Sequence, residues 1–224
     1  MITACVILDI GGVLEITPKT DWAERWEVQL GLPPGTVNER LRDTWRAGSV
    51  GSISELEVHE QVAASLGLCV PHAEALMADF WAEYLGTPNE ELIACLQELR
   101  GDCGLGILSN SFVGAREREA ELYHFDELVD QIVYSHEIGI GKPDPRAFKA
   151  ACASLRVRPK HCLFIDDSAG NVEAAQAVGM QAHLFQDNAQ AIKRIIAHLG
   201  VRPPGSSMPR RRAFVVQPHP CTGP

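Results

Sequence analysis

An α/β architecture, a parallel sheet covered by helices, is the fold class this 224-residue sequence predicts. Three observations carry it. Short apolar runs recur along the chain, each bounded by polar or glycine residues. Amphipathic stretches long enough for helices separate them. Polar, chemically capable residues collect at the carboxyl ends of those runs, where open parallel sheets bind ligands.

The runs at 4–8, 105–108, 131–134, 162–165 and 181–185 are read as strands, and helices are placed at 88–100, 112–123, 145–155, 169–178 and 188–199. Local chemistry supports the last three helices. Asp144 stands before Pro145 as a cap before a first-turn proline, Ser168 and Asn188 are candidate caps, and Gly179 and Gly200 stand where helices should stop. In the last helix Ile192, Ile195, Ile196 and Leu199 form one apolar stripe. Residues 17–86 interrupt the alternation and read as four helices near 20–30, 35–46, 53–66 and 72–85, too long an excursion for a simple crossover. The expected organisation is a Rossmann-like core of residues 1–16 and 87–200, a helical subdomain at 17–86 and a disordered basic tail at 201–224.

Composition narrows the function. The chain is 46% hydrophobic and 22% charged, neither a disordered nor a membrane composition. No apolar run approaches the roughly 20 residues of a spanning helix, and no basic stretch precedes the first apolar run, so a cytoplasmic protein without membrane association is expected. Sixteen of the 20 bases stand against all 29 acids before residue 201, a balance of −13 that argues against nucleic acid as a partner. The seven cysteines form no CxxC pair and lie mostly in apolar segments, as small buried side chains in a reducing compartment do. No zinc motif, P-loop or dinucleotide fingerprint is present.

Four strand ends carry the chemistry. Asp9 precedes Gly11-Gly12, Ser109-Asn110-Ser111 closes the second strand, Lys142 follows the third, and Asp166-Asp167-Ser168 closes the fourth. Three carboxylates on one sheet edge repel unless a cation or a proton neutralises them, and oxygen-only ligation suits Mg²⁺. A lysine and a hydroxyl on the same edge suit an anion such as phosphate, and a carboxylate is a competent nucleophile toward phosphorus.

The segments Leu-Asp-Ile-Gly-Gly-Val-Leu, Leu-Ser-Asn-Ser, Gly-Lys-Pro-Asp-Pro and Phe-Ile-Asp-Asp-Ser stand in the order and spacing of the haloacid dehalogenase superfamily, which the chain resembles from residue 4 to about 185. The resemblance implies a Mg²⁺-dependent phosphatase of a small phosphorylated metabolite, acting through an aspartyl phosphate, with the four inserted helices as its cap. It implies Asp9 as nucleophile, Ser109 and Asn110 as phosphoryl binders, and Lys142 as the cation stabilising both. Asp9, the Gly11 carbonyl, Asp166 and Asp167 form the implied metal shell, with Asp167 the direct ligand.

One position departs from the family pattern. The aspartate that protonates the leaving group in most such phosphatases is Gly11 here, and losing a positioned acid reduces rate by about 10²–10⁴-fold. Sugar-1-phosphates and acyl phosphates, whose leaving groups need the proton least, become the favoured substrates. Two alternatives follow from the same glycine: a non-catalytic binding module, and a phosphonate hydrolase, for which Lys19 is the only lysine in residues 15–87. Arg40, Arg42 and Arg46 read as a solvated face and Trp22, Trp26, Trp45 and Trp81 as packing anchors, with one or two tryptophans flooring a sugar-sized pocket.

Overall fold

The computed structural model describes residues 4–201, so Arg202, Arg210, Arg211, Arg212 and Cys221 of the expected basic tail lie outside the described residues. In chain order the elements are β1 (Cys5–Leu8), β2 (Glu15–Ile16), α1 (Trp22–Leu30), α2 (Thr36–Ser49), α3 (Glu55–Leu66), α4 (Val70–Tyr84), β3 (Thr87–Pro88), α5 (Glu90–Leu99), β4 (Gly104–Ser109), α6 (Ala115–Tyr123), α7 (Phe125–Leu128), β5 (Gln131–Tyr134), α8 (Ser135–Ile138), α9 (Pro145–Ser154), β6 (Cys162–Asp166), α10 (Ala169–Ala177), β7 (Gln181–Leu184) and α11 (Asn188–Leu199).

Five strands form one parallel sheet in the order β5-β4-β1-β6-β7. Because β1 is central and its Leu8 pairs with Ile107 on one side and Ile165 on the other, Asp9, Leu108 and Asp166 come into line at one edge. The sheet is buried on both faces. Val6, Leu8, Leu105, Ile107, Leu163 and Ile165 pack against Leu92 and Leu96 of α5 and Ile195 of α11. The alternate residues Cys5, Ile7, Cys162 and Phe164 pack against Phe148 and Cys152 of α9 and Ala175 of α10. Each such aliphatic or aromatic side chain contributes about 1.5–3 kcal/mol by leaving water, which holds the strand ends in place.

Helices α1–α4 build a separate apolar cluster around Trp22, Trp26, Leu41, Val62, Met77 and Trp81, with Phe112 and Ala115 joining it from the sheet side. The antiparallel pair β2–β3, Glu15 opposite Pro88, brings the entry and exit of this four-helix segment together. That pair was not foreseen, since two-residue strands leave no periodic signal. At the start of α3, Ser54 and Glu57 form a reciprocal cap: the Glu57 N–H donates to the Ser54 hydroxyl at 3.3 Å, and the Ser54 N–H donates to the Glu57 carboxylate at 2.7 Å.

Two cap assignments need correction. Asp144 caps α9 by accepting from the Arg146 N–H as expected, but the Ser168 side chain makes no capping bond at α10. The cap of α11 is Asp187, which accepts from the Gln190 N–H at 2.8 Å. Asn188, one residue inside the helix, turns instead to Asn89 and Glu91. The acidic neighbour wins because its carboxylate reaches the free N–H groups of the first turn and complements their positive end.

Candidate active site

Asp9 leaves the end of β1 with its Oδ1 held by its neighbour's Ile10 N–H at 2.8 Å and by Lys142 Nζ at 2.6 Å. The ammonium also donates to Asp166 Oδ2 at 2.7 Å, and the side chain of Lys142 is fully buried. A buried lysine shared by two carboxylates fixes all three side chains. Asp166 is saturated: its Oδ1 accepts from the Ser168 N–H at 2.8 Å and Asn171 Nδ2 at 3.0 Å.

Asn110 works on the backbone that carries the lysine. Its Oδ1 accepts from the Lys142 N–H at 2.7 Å, and its Nδ2 donates to the Lys142 carbonyl at 2.8 Å. A Cβ at Gly141 would stand 2.8 Å from that Oδ1, so the clamp closes only because residue 141 is glycine. Ser109 ends β4 buried at the same edge. Ser111 does not share its place: its hydroxyl is committed to His136 Nδ1 at 2.6 Å.

Asp9, Asp166 and Asp167 each offer a carboxylate oxygen within 4.8 Å of the others, with Asp167 the exposed member. Three carboxylates outnumber the one ammonium. Burial pushes the Asp9 carboxyl up to about 7, Asp166 adding to the rise and Lys142 opposing it. Partial burial and the Asp166 charge raise Asp167 as well. The donor set is all oxygen and is two positive charges short of neutral, which fits a small hard divalent cation such as Mg²⁺. Gly12 makes room for the Asp167 carboxylate: at φ +71°, any Cβ there would lie 2.3 Å from Asp167 Oδ2.

Gly11 is exposed, and a Cβ built on it would meet nothing nearer than Thr17 Oγ1 at 3.8 Å and Glu15 Oε2 at 3.9 Å. Glu15 is thus a second carboxyl beside the position that lacks the family acid. It is buried, and its Oε2 accepts from the Thr17 hydroxyl at 2.8 Å. Burial pushes Glu15 up to about 6. Further in, Glu119 is buried on α6, accepts from the Tyr134 hydroxyl at 2.6 Å, and is pushed by burial up to about 7. Sequence reasoning missed Glu15, Asn171 and Glu119. Asn171 had a usable signal, standing one helical turn after the Asp166-Asp167 pair; Glu15 and Glu119 read as ordinary surface acids until the tertiary fold buries them.

Lys19 is exposed and pairs with Asp21 at 3.5 Å, and the pair lines a cavity of about 430 Å³ with Trp22, Trp45, Phe80 and Tyr84. Arg40, Arg42 and Arg46 are exposed and line none of it, Arg46 pairing with Asp43. Five of the six described cysteines are buried and Cys69 is exposed, all six as free thiols. Among the described residues no helix is long and apolar enough to cross a membrane.

The haloacid dehalogenase-like hydrolase family model matches residues 4–179, spanning every one of these strand ends. The chain belongs to the haloacid dehalogenase-like hydrolases. Among curated proteins it is 33% identical over 128 residues to phosphatase MT3486 of Mycobacterium tuberculosis, a match covering 56% of this chain and 58% of that protein. It is 26% identical over 225 residues to bifunctional epoxide hydrolase 2 of Sus scrofa, covering 90% of this chain and 40% of that one. The chain therefore spans less than two thirds of the length of either relative. A haloacid dehalogenase family enzyme of Bacteroides thetaiotaomicron, bt-2542, solved as a magnesium complex, shares the fold with a TM-score of 0.71 at 21% identity, over 82% of this chain and 93% of that one.

Proposed function

We propose that this hydrolase is a Mg²⁺-assisted phosphatase of a small phosphorylated metabolite, with Asp9 as nucleophile. The observation that carries the reading is the buried Lys142, 2.6 Å from Asp9 and 2.7 Å from Asp166, in a cluster whose carboxylates outnumber it. Such a cluster is a poor stabilising device, since a buried ion pair gains little over an apolar replacement. It is well suited to holding a carboxylate ready beside a cation.

Asp9 attacks the phosphorus of the bound monoester, the bond to the leaving-group oxygen breaks, and an aspartyl phosphate remains for water to hydrolyse. Lys142 and Ser109, with the backbone of Asn110, face the charge that spreads over the phosphoryl oxygens. Asp9, Asp167 and the Gly11 carbonyl would hold Mg²⁺, which supplies further neutralisation of that charge. Asp166 completes the metal shell while orienting Lys142, and Asn110 and Asn171 position Lys142 and Asp166. Helices α1–α4 form a cap that shields the reaction from bulk water. The free thiols accord with a cytoplasmic setting.

The relative named a phosphatase supports this class over the alternatives. A Schiff-base lysine needs a desolvated amine, and Lys19 is exposed and ion-paired. The test is phosphate release from acetyl phosphate, p-nitrophenyl phosphate and sugar phosphates, with and without Mg²⁺, comparing wild type with Asp9→Asn. Metal-dependent turnover abolished by the substitution is expected. Full activity in Asp9→Asn, or silence across the panel from folded protein, overturns the proposal.

A further inference from the structure

A cavity of about 430 Å³ lies among α1, α2 and the end of α4, within the size range of small-molecule sites. Its position ties it to the reacting centre. Thr17 lines it, and the same Thr17 hydroxyl sits 3.8 Å from where a Cβ on Gly11 would be, two residues past Asp9. Tyr84 lies on the same wall. The cavity thus adjoins position 11, where the family pattern places the acid that serves the leaving group.

Its walls have a definite chemistry. Trp45 stacks on Phe80 at 5.1 Å with their planes 10° apart, and Trp22 sets its edge against both, at 6.2 Å and 5.9 Å. This aromatic block belongs only in part to the apolar core of the four helices, because Trp45 and Phe80 stay half-buried where they meet the cavity. The charged lining is lopsided: Asp21, Glu24 and Glu83 stand against one ammonium, Lys19, which Asp21 already engages. Glu83 has its own task, its Oε2 accepting from the Thr20 N–H at 2.7 Å and the Thr20 hydroxyl at 2.6 Å. Arg40, Arg42 and Arg46 are exposed and line none of the cavity.

From this lining, and resting on the phosphatase reading above, we infer that the substrate is a phosphate monoester of an uncharged, ring-bearing alcohol, its ring seated on Trp45 and Phe80. A leaving group carrying a second carboxylate or phosphate is rejected by the carboxylates around the cavity. The exposed part of the Trp45–Phe80 stack can pack against a sugar or aryl ring by dispersion and C–H contacts, whereas a short acidic chain finds no cation that is not already ion-paired and no ring-sized partner. The preference is electrostatic as well as steric, since one added negative charge within several Å of a lining with more carboxylates than ammonium groups weakens binding by about tenfold.

The test compares kcat/KM on glucose 1-phosphate and phenyl phosphate, the two ring sources, with that on phosphoglycolate and fructose 1,6-bisphosphate, using acetyl phosphate as the small reference ester. At least one ring ester is expected to exceed both doubly anionic esters by about tenfold or more. Whichever ring ester leads identifies the ring as sugar or aryl. In Trp45→Ala the ratio of that ring ester to acetyl phosphate should fall about tenfold through KM. Because Trp45 also packs helices, the exposed Glu24→Lys is the second variant: it should raise phosphoglycolate relative to the ring ester by about fivefold or more, with the gain shrinking in high salt. Turnover of acetyl phosphate with phosphoglycolate as the best ester, or with ratios unmoved by both variants, overturns the inference and leaves the phosphatase reading standing. Absence of turnover on every ester, acetyl phosphate included, overturns both.

Discussion

Gly12→Ala separates the metal-site reading from ordinary backbone strain. The alanine methyl would stand 2.3 Å from Asp167 Oδ2 and 2.8 Å from its Cγ, whereas ordinary contacts of that kind are about 3.2 Å or longer. The Asp167 carboxylate must therefore move by about 1 Å, against a tolerance of about 0.2 Å for ligand oxygens at a metal. Misplacing it should weaken Mg²⁺ binding by at least about 10–100-fold, and turnover at fixed Mg²⁺ with it. The backbone adds a separate penalty, because φ is +71° and a Cβ in the left-handed region costs about 1–2 kcal/mol, or roughly 2–8 °C in Tm for a chain of this size. Gly31→Ala is the matched control, at φ +65° with nothing within 4 Å of the new methyl. Both variants should lose similar stability in thermal melts, while calorimetric Mg²⁺ titration and phosphate release should separate them. Equal Mg²⁺ affinity in the two would refute the placement of Asp167 in the metal site.

Lys142→Met should abolish turnover and destabilise the protein by about 3–5 kcal/mol in urea unfolding, because Asp9 and Asp166 lose their shared buried cation; a change under about 1 kcal/mol would contradict the burial of that charge. Gly11→Asp meets only ordinary contacts at 3.8–3.9 Å, and it should raise kcat/KM on alkyl and sugar phosphates by up to about 10²-fold while leaving acetyl phosphate nearly unchanged. A uniform effect across leaving groups would show that proton donation is not what position 11 lacks. Glu119 is raised from 4.5 to about 7, so its contribution to stability is full at low pH and is lost as pH climbs from about 4.5 through 7, by about 3 kcal/mol. Unfolding followed at pH 5 and pH 8 should show a smaller loss in Glu119→Gln than in wild type; identical losses would place the titration elsewhere.

The sheet, its five strands and the nine longest helices were readable from the chain because each repeats a local rule several times over. Apolar runs bounded by Asp9, Ser109 and Asp166 mark strands buried on both faces, and the ladder of Leu8 with Ile107 and Ile165 then leaves little freedom in where those strand ends meet. The four motifs point to the residues of the proposed site for the same reason: each sits at a fixed offset from a strand end. The expected break at 17–86 rests on four helical periods with no apolar run between them.

What the residue order left open is whatever depends on contacts between distant segments. Asp144 and Asp187 obey a local rule as caps, but Ser168 fits the same rule and makes no capping bond, and Asn188 is drawn away by its tertiary partner Asn89. The burial of Glu15 and Glu119, the saturation of Asp166 by Asn171, and the grip of Asn110 on Lys142 all join residues whose relative positions exist only once the strands are paired. The cavity against Trp45 and Phe80 is the extreme case: its residues come from three helices and the strap before them, so its aromatic wall and its excess of carboxylates arise from helix packing. Reaction chemistry resides in short motifs because it needs a few atoms at fixed offsets, whereas substrate selection resides in packing because it needs a surface.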